Sequence, residues 1–236
     1  MGGRRTGRFL WALGVLLVVA DQVIKYFVKT RMCLHESFEV FPGHSWFQIL
    51  FVENEGMAYG IGNGGGIGIF KLLLSVFRIA LAAFLVWWIG RLVRRNRDLA
   101  AGGKESGLLP KGTLSSGRVP TGVLVGLTLI TAGAVGNIID CLCYGRIFSA
   151  STPETVAVLG GSYAPVLFGK VVDMFYFPLI DTHWPTWLPW IGGRHFIFFS
   201  PVFNFADSCV TVGAIYLILF QYRFFASEDK KDAETK

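Results

Sequence analysis

Four long apolar stretches dominate the chain, running from about Arg8 to Val28, Ile69 to Leu92, Thr121 to Ile139 and Pro201 to Tyr222. As helices, each spans about 30 Å of hydrocarbon. Between the first two, Phe38–Phe41 and Trp46–Val52 are rich in aromatic and β-branched residues and flank Pro42-Gly43. That pattern predicts a hairpin or small twisted sheet outside the membrane. Phe175–Phe199 is dense in Phe, Trp and Pro, with Trp184, Trp187 and Trp190 among them. Such aromatics favour the headgroup region, so this segment is expected to lie on the membrane surface. A fifth crossing is interrupted by Asp181, His183, Arg194 and prolines.

Composition agrees with a membrane protein: 53% of the residues are hydrophobic and 16% charged, against about 25% charged in a soluble domain. The short segments containing Arg4, Arg5 and Arg8, and Arg94, Arg95, Arg97, Lys104, Lys111 and Arg118, concentrate the basic residues. The positive-inside bias therefore puts both termini and residues 93–120 in the cytoplasm, and residues 29–68 and 140–200 outside. The net charge of +6 is explained by this bias and by contact with membrane lipid, with no need for nucleic acid. The first span runs into Asp21-Gln22 without a small-residue cleavage site, so it reads as a retained helix.

The fold class predicted is an α-helical integral membrane protein with four transmembrane helices, a small extracytoplasmic β-hairpin or sheet platform and an extended aromatic outer loop. Residues 1–226 form one polytopic domain, residues 96–120 a polar Gly/Ser-rich connector, and residues 227–236 a charged tail. Gly60-Ile-Gly-Asn-Gly-Gly-Gly66 matches a dinucleotide fingerprint only by accident, because no βαβ unit surrounds it.

Polar residues inside or beside apolar spans narrow the chemistry. A carboxylate near the bilayer centre costs roughly 2.5–3.5 kcal/mol on insertion scales, so membrane acids mark functional sites. Asp21 and Lys25 are spaced i,i+4 on the first span; Asn137 and Asp140 are spaced i,i+3 at the end of the third. Ser200-Pro201 reads as an N-cap with proline at the first helical position, placing Asn204 and Asp207 on one face of the fourth span. Gly126, Gly133 and Gly136 suit close helix packing. The charge-derived topology brings these residues, with Asn54 and Asp173, to the outer side. Two carboxylates brought within about 3 Å share one proton, so one can activate water while the other protonates a carbonyl or leaving amine. That chemistry requires neither metal nor cofactor. Cys33, Cys141, Cys143 and Cys209 lack metal-ligand spacing and read as packing thiols, with an outer disulfide as the alternative. An ion-coupled or proton-relay membrane protein would use the same acids; a hydrolase built on Lys71 and Ser75 would leave them unexplained.

Five blocks, Asp21-Gln-Val-Ile-Lys25, Asn54-Glu-Gly-Met-Ala58-Tyr-Gly60, Gly136-Asn-Ile-Ile-Asp140, Val171-Val-Asp173 and Phe203-Asn-Phe-Ala-Asp207-Ser208, resemble in order and topology the signature blocks of lipoprotein signal peptidase (signal peptidase II). The resemblance implies an aspartyl endopeptidase of the bacterial inner membrane, working as a monomer on lipidated prolipoproteins and cleaving before the diacylglyceryl cysteine. It implies that Asp173 and Asp207 are catalytic. Asn54, Gly56, Ala58, Asn137, Asp140 and Asn204 would orient them or bind substrate, and Asp21 and Lys25 would brace the site. Two departures stand out. Cys141 occupies the position of the family's usual Arg, and residues from Cys141 to about Phe168 are inserted where the family has a short link. Arg78, inside the second span, is a candidate substitute for that Arg or a side chain snorkelling to the interface.

Overall fold

The computed structural model describes residues 3–54, 67–101, 118–198, 200–222 and 224. Gly56, Ala58, the glycine-rich stretch 60–66, most of the connector 96–120 and the tail 227–236 lie outside the described residues. The chain divides into two compact units: Met1–Ala20 with Ser75–Ile138 and Ala206–Lys236, and Asp21–Leu74 with Ile139–Phe205.

Among the described residues, three helices are long and apolar enough to cross a membrane: α1 (Gly3–Arg31), α2 (Ile67–Ala100) and α3 (Thr121–Ile139), the last prolonged by a π-helical turn (Asp140–Tyr144) and the short α4 (Gly145–Ile147). The fourth apolar helix, α5 (Phe205–Phe220), has 16 residues. It begins later than the sequence predicts because Val202 and Phe203 pair in a sheet instead of opening the helix. Ser200-Pro201 is therefore not its cap.

The first unit is helical. Its core joins Leu10 of α1, Leu85 and Leu92 of α2, Val123, Leu124 and Leu127 of α3 and Leu217 of α5. Glycine permits the α3–α5 contact. A Cβ on Gly126 would lie 2.5 Å from Leu217 Cδ2, and one on Gly133 would lie 2.2 Å from the Ala206 carbonyl oxygen. Exposed side chains such as Trp11, Leu16, Phe77 and Phe84 are what helices facing lipid present.

In the second unit an antiparallel four-stranded sheet has the order β1-β2-β3-β6: β1 (Ser37–Phe41), β2 (His44–Asn54), β3 (Val171–Tyr176) and β6 (Val202–Phe203). The hairpin predicted around Pro42-Gly43 is β1–β2, its turn requiring the left-handed backbone of Gly43, φ 80°. The sequence shows one hairpin; the structure adds β3 from the long outer segment and β6 from the start of the predicted fourth span. A second hairpin, β4 (Ile180–His183) with β5 (His195–Phe198), carries the tryptophan-rich tip. Phe51, Val172, Met174, Tyr144 and Phe148 form this unit's core with Val28 and Met32 of α1. The inserted segment is part of that packing. Leu34 N–H bonds Thr152 O, Gly169 N–H bonds Cys141 O, and both Tyr163 and Ala164 donate to Gly145 O. No disulfide joins the four cysteines.

Candidate active site

Asp21, Asp140, Asp173 and Asp207 each meet specific partners, which are of two kinds. Asp21 and Asp140 are paired with a cation. Lys25 Nζ lies 3.0 Å from Asp21 Oδ2 and 2.8 Å from Asp140 Oδ2, and all three residues are at most 1% exposed. The helical spacing of Asp21 and Lys25 supplies the first contact; the π-helical turn opening at Asp140 supplies the second. Gln22 donates to both carboxylates, at 3.1 Å to Asp21 and 3.0 Å to Asp140, and Val172 N–H donates to Asp140 Oδ2 at 3.2 Å. This cluster ties α1, the π turn and β3 together in the second unit. Buried charge pairs of this sort hold geometry more than they add stability.

Asp173 is held differently. It sits within β3, 3% exposed, with Asn54 Nδ2 donating to Oδ2 at 3.2 Å and Asn204 Nδ2 donating to Oδ1 at 2.7 Å. The sheet explains both bonds. Asn54 ends β2, which flanks β3 on one side with Val52 opposite Asp173, and Asn204 follows β6, which flanks it on the other. Amide donors fix the orientation of a carboxylate without neutralising it.

Asp207, in the first unit, lies in the first turn of α5 and is half-buried. Its Oδ1 accepts a 2.8 Å bond from Asn137 Nδ2 of α3. A helix N-terminus stabilises negative charge there. The close packing at Gly133, one turn before Asn137, brings the two helices near enough for that bond.

Two sequence expectations are corrected. Asn204 and Asp207 do not share a helix face, because Asn204 precedes α5 and bonds Asp173 while Asp207 bonds Asn137. Asn137 and Asp140 likewise turn to different partners, where the α-helix gives way to the π turn. Arg78 is half-buried on α2. Sequence reading missed Gln22, whose only signal is its place beside Asp21. It also missed a second buried cluster built on Lys29 and Glu53. Among the described residues, no group of three His, Cys, Asp or Glu is arranged to hold a metal ion.

Long apolar helices with buried acids define a polytopic membrane protein whose polar chemistry is concentrated in carboxylates and amides. The family described as "Signal peptidase (SPase) II" matches residues 13–108 and 112–223. A lipoprotein signal peptidase of Porphyromonas gingivalis is 46% identical over 215 residues, covering 90% of this chain and 82% of the relative. One from Amoebophilus asiaticus is 30% identical over 209 residues, covering 89% and 75%. A solved structure described as "Bacterial membrane enzyme structure by the in meso method at 2.3 A resolution" is 24% identical, with a TM-score of 0.48 and coverage of 91% of this chain and 88% of that one. The chain belongs to the signal peptidase II family, which makes it a bacterial membrane protease and not an ion-coupled carrier.

Proposed function

We propose that the protein is an aspartyl endopeptidase of the bacterial inner membrane that removes signal peptides from diacylglyceryl-modified prolipoproteins, cutting before the lipidated cysteine. Its relatives are named for lipoprotein processing, and the cleavage position follows from the resemblance of the five blocks. Asp173 and Asp207 are the catalytic carboxylates. One, ionised, takes a proton from water as the water oxygen attacks the scissile carbonyl. The other, protonated, donates to the carbonyl oxygen; a second proton transfer then lets the amine leave. No metal or cofactor enters these steps.

The observation that carries this reading is the division among the acids. Lys25 engages Asp21 and Asp140, while Asp173 and Asp207 accept from asparagine amides. Asparagine amides aim a carboxylate without taking its proton, and a buried ammonium braces the acids it pairs with. Asn54, Asn137 and Asn204 thus orient the catalytic acids, and Asp21, Lys25 and Asp140 support them. Gly56 and Ala58 take the substrate backbone, and Arg78 meets an acid or a lipid phosphate. The chain acts as a monomer with both termini in the cytoplasm and its chemistry at the outer face.

The test is cleavage of a diacylglyceryl-modified precursor peptide by purified protein. Asp173→Asn and Asp207→Asn should each abolish turnover while the protein stays membrane-inserted and thermally stable, and a chelator should leave the wild type unaffected. The double variant should be no worse than either single one, because parts of one catalytic unit are not additive. Substantial turnover by either well-folded variant refutes the assignment.

A further inference from the structure

A second buried ionic cluster stands on the other side of the sheet from the Asp173 carboxylate. Lys29, fully buried near the end of α1, ion-pairs with Glu53 Oε1, and Lys29 Nζ donates to Ser151 Oγ at 3.0 Å. Ser151 Oγ in turn lies 3.0 Å from Glu53 Oε1, and Lys170 Nζ approaches Glu53 Oε2 at 3.6 Å. Two aromatic rings complete the enclosure, with the Lys29 ammonium 4.9 Å from the Tyr163 ring centroid and 5.5 Å from that of Phe148. Burial pushes the Tyr163 phenol above its ordinary range. It therefore stays protonated, and its oxygen accepts from Lys170 N–H at 2.9 Å. Ser151, Tyr163 and Phe148 all come from the inserted segment.

The position of Glu53 gives this cluster a consequence for catalysis. Glu53 is the penultimate residue of β2 and faces Val172, between Val52↔Asp173 and Asn54↔Val171. Side chains alternate along a strand, so Asn54 and Asp173 share one face and Glu53 lies on the opposite one. Lys170 immediately precedes β3. The ion pairs of Glu53 thus hold the end of β2 and the start of β3, the two segments whose spacing sets the Asn54–Asp173 bond.

We propose that Lys29, Glu53 and the insertion's Ser151 are positioning residues for the reaction: they clamp the back of the β2–β3 pair so that Asn54 stays aimed at the Asp173 carboxylate. The clamp rests on the reading of Asp173 as catalytic. Because the clamp works through Asn54 and Asp173, it acts on the chemical step and not on binding. It also gives the insertion a role, since three of the four groups enclosing Lys29 (Ser151, Phe148 and Tyr163) come from it.

The experiment measures kcat and KM for a diacylglyceryl-modified precursor peptide, together with the melting temperature in detergent, at a temperature where every variant is folded. Glu53→Gln should lower kcat about 10- to 100-fold, the size expected for a small misalignment of reacting groups, with KM nearly unchanged. Glu53→Asp, which keeps the charge, should recover part of the loss. If the uncompensated Lys29 ammonium unfolds Glu53→Gln, the paired variant Lys29→Met/Glu53→Leu serves instead. It replaces the ions by apolar volume, and it should melt near the wild type yet show the same kcat defect. Wild-type kcat in either folded variant, or a loss expressed through KM, overturns the proposal. Asp173→Asn is assayed alongside. If that variant is active, the catalytic reading itself has failed; if it is inactive while folded Glu53→Gln turns over normally, only the clamp has failed.

Discussion

The Asn137 side-chain amide crosses from α3 to Oδ1 of Asp207, 2.8 Å away in the first turn of α5. The bond helps to aim this carboxylate, and its loss weakens that alignment. Asn137→Ala should lower kcat by about 10- to 100-fold and leave the melting temperature within a few degrees. Asn137→Asp should be worse, because it sets a like charge against Asp207. Turnover of the precursor peptide by the two purified variants checks both statements; wild-type rates in Asn137→Ala would remove Asn137 from the machinery.

Lys25 lies between two buried acids, and removing it leaves both without their ammonium. Lys25→Met should destabilise the protein by about 3–5 kcal/mol, the usual cost of breaking a buried ion pair. Adding Asp140→Asn to Lys25→Met should restore part of that stability, since one unpaired charge disappears. Thermal unfolding in detergent measures both. An unchanged melting temperature in Lys25→Met would show that the cluster is not a brace.

Gly133 packs against the backbone of α5, where an added Cβ would meet the Ala206 carbonyl oxygen at 2.2 Å. Backbone cannot swing aside as a side chain can, so α3 and α5 must separate beside Asn137 and Asp207. Gly133→Ala should therefore cost about 1–3 kcal/mol of stability through overpacking and reduce cleavage as well. Gly90, where a Cβ meets nothing within 4 Å, is the control, and Gly90→Ala should retain wild-type stability and rate.

Topology is tested by labelling. In a background lacking Cys33, Cys141, Cys143 and Cys209, single cysteines at Ser106 and Thr182 should react oppositely with an impermeant maleimide applied to intact cells. Thr182 should label from outside and Ser106 only after permeabilisation. Equal outside labelling of both would overturn the orientation derived from Lys and Arg.

Hydrophobic runs, charge bias and five short motifs determine much of this protein by themselves. Helices must satisfy their own backbone in lipid, so a long apolar run without Pro specifies a helix wherever it lies, as in α1, α2 and α3. The β1–β2 hairpin was equally legible, because Gly43 and its flanking aromatics are local signals. The Asp21–Lys25 pair was visible for the same reason, being one helical turn apart. Tertiary structure decided the rest. Val202 and Phe203 have an apolar neighbourhood that suits a helix start as well as a strand, and only the presence of the β3 edge makes them β6. Asn204 and Asp207 look like helix-mates until that strand displaces the start of α5, so that Asn204 turns to Asp173 and Asp207 to Asn137. Lys29, Glu53, Ser151 and Lys170 are spread along the sequence and look like ordinary polar residues near loops, so no periodicity joins them. A buried charge is tolerable only beside its partner, and that partner is chosen by the fold and not by spacing along the chain.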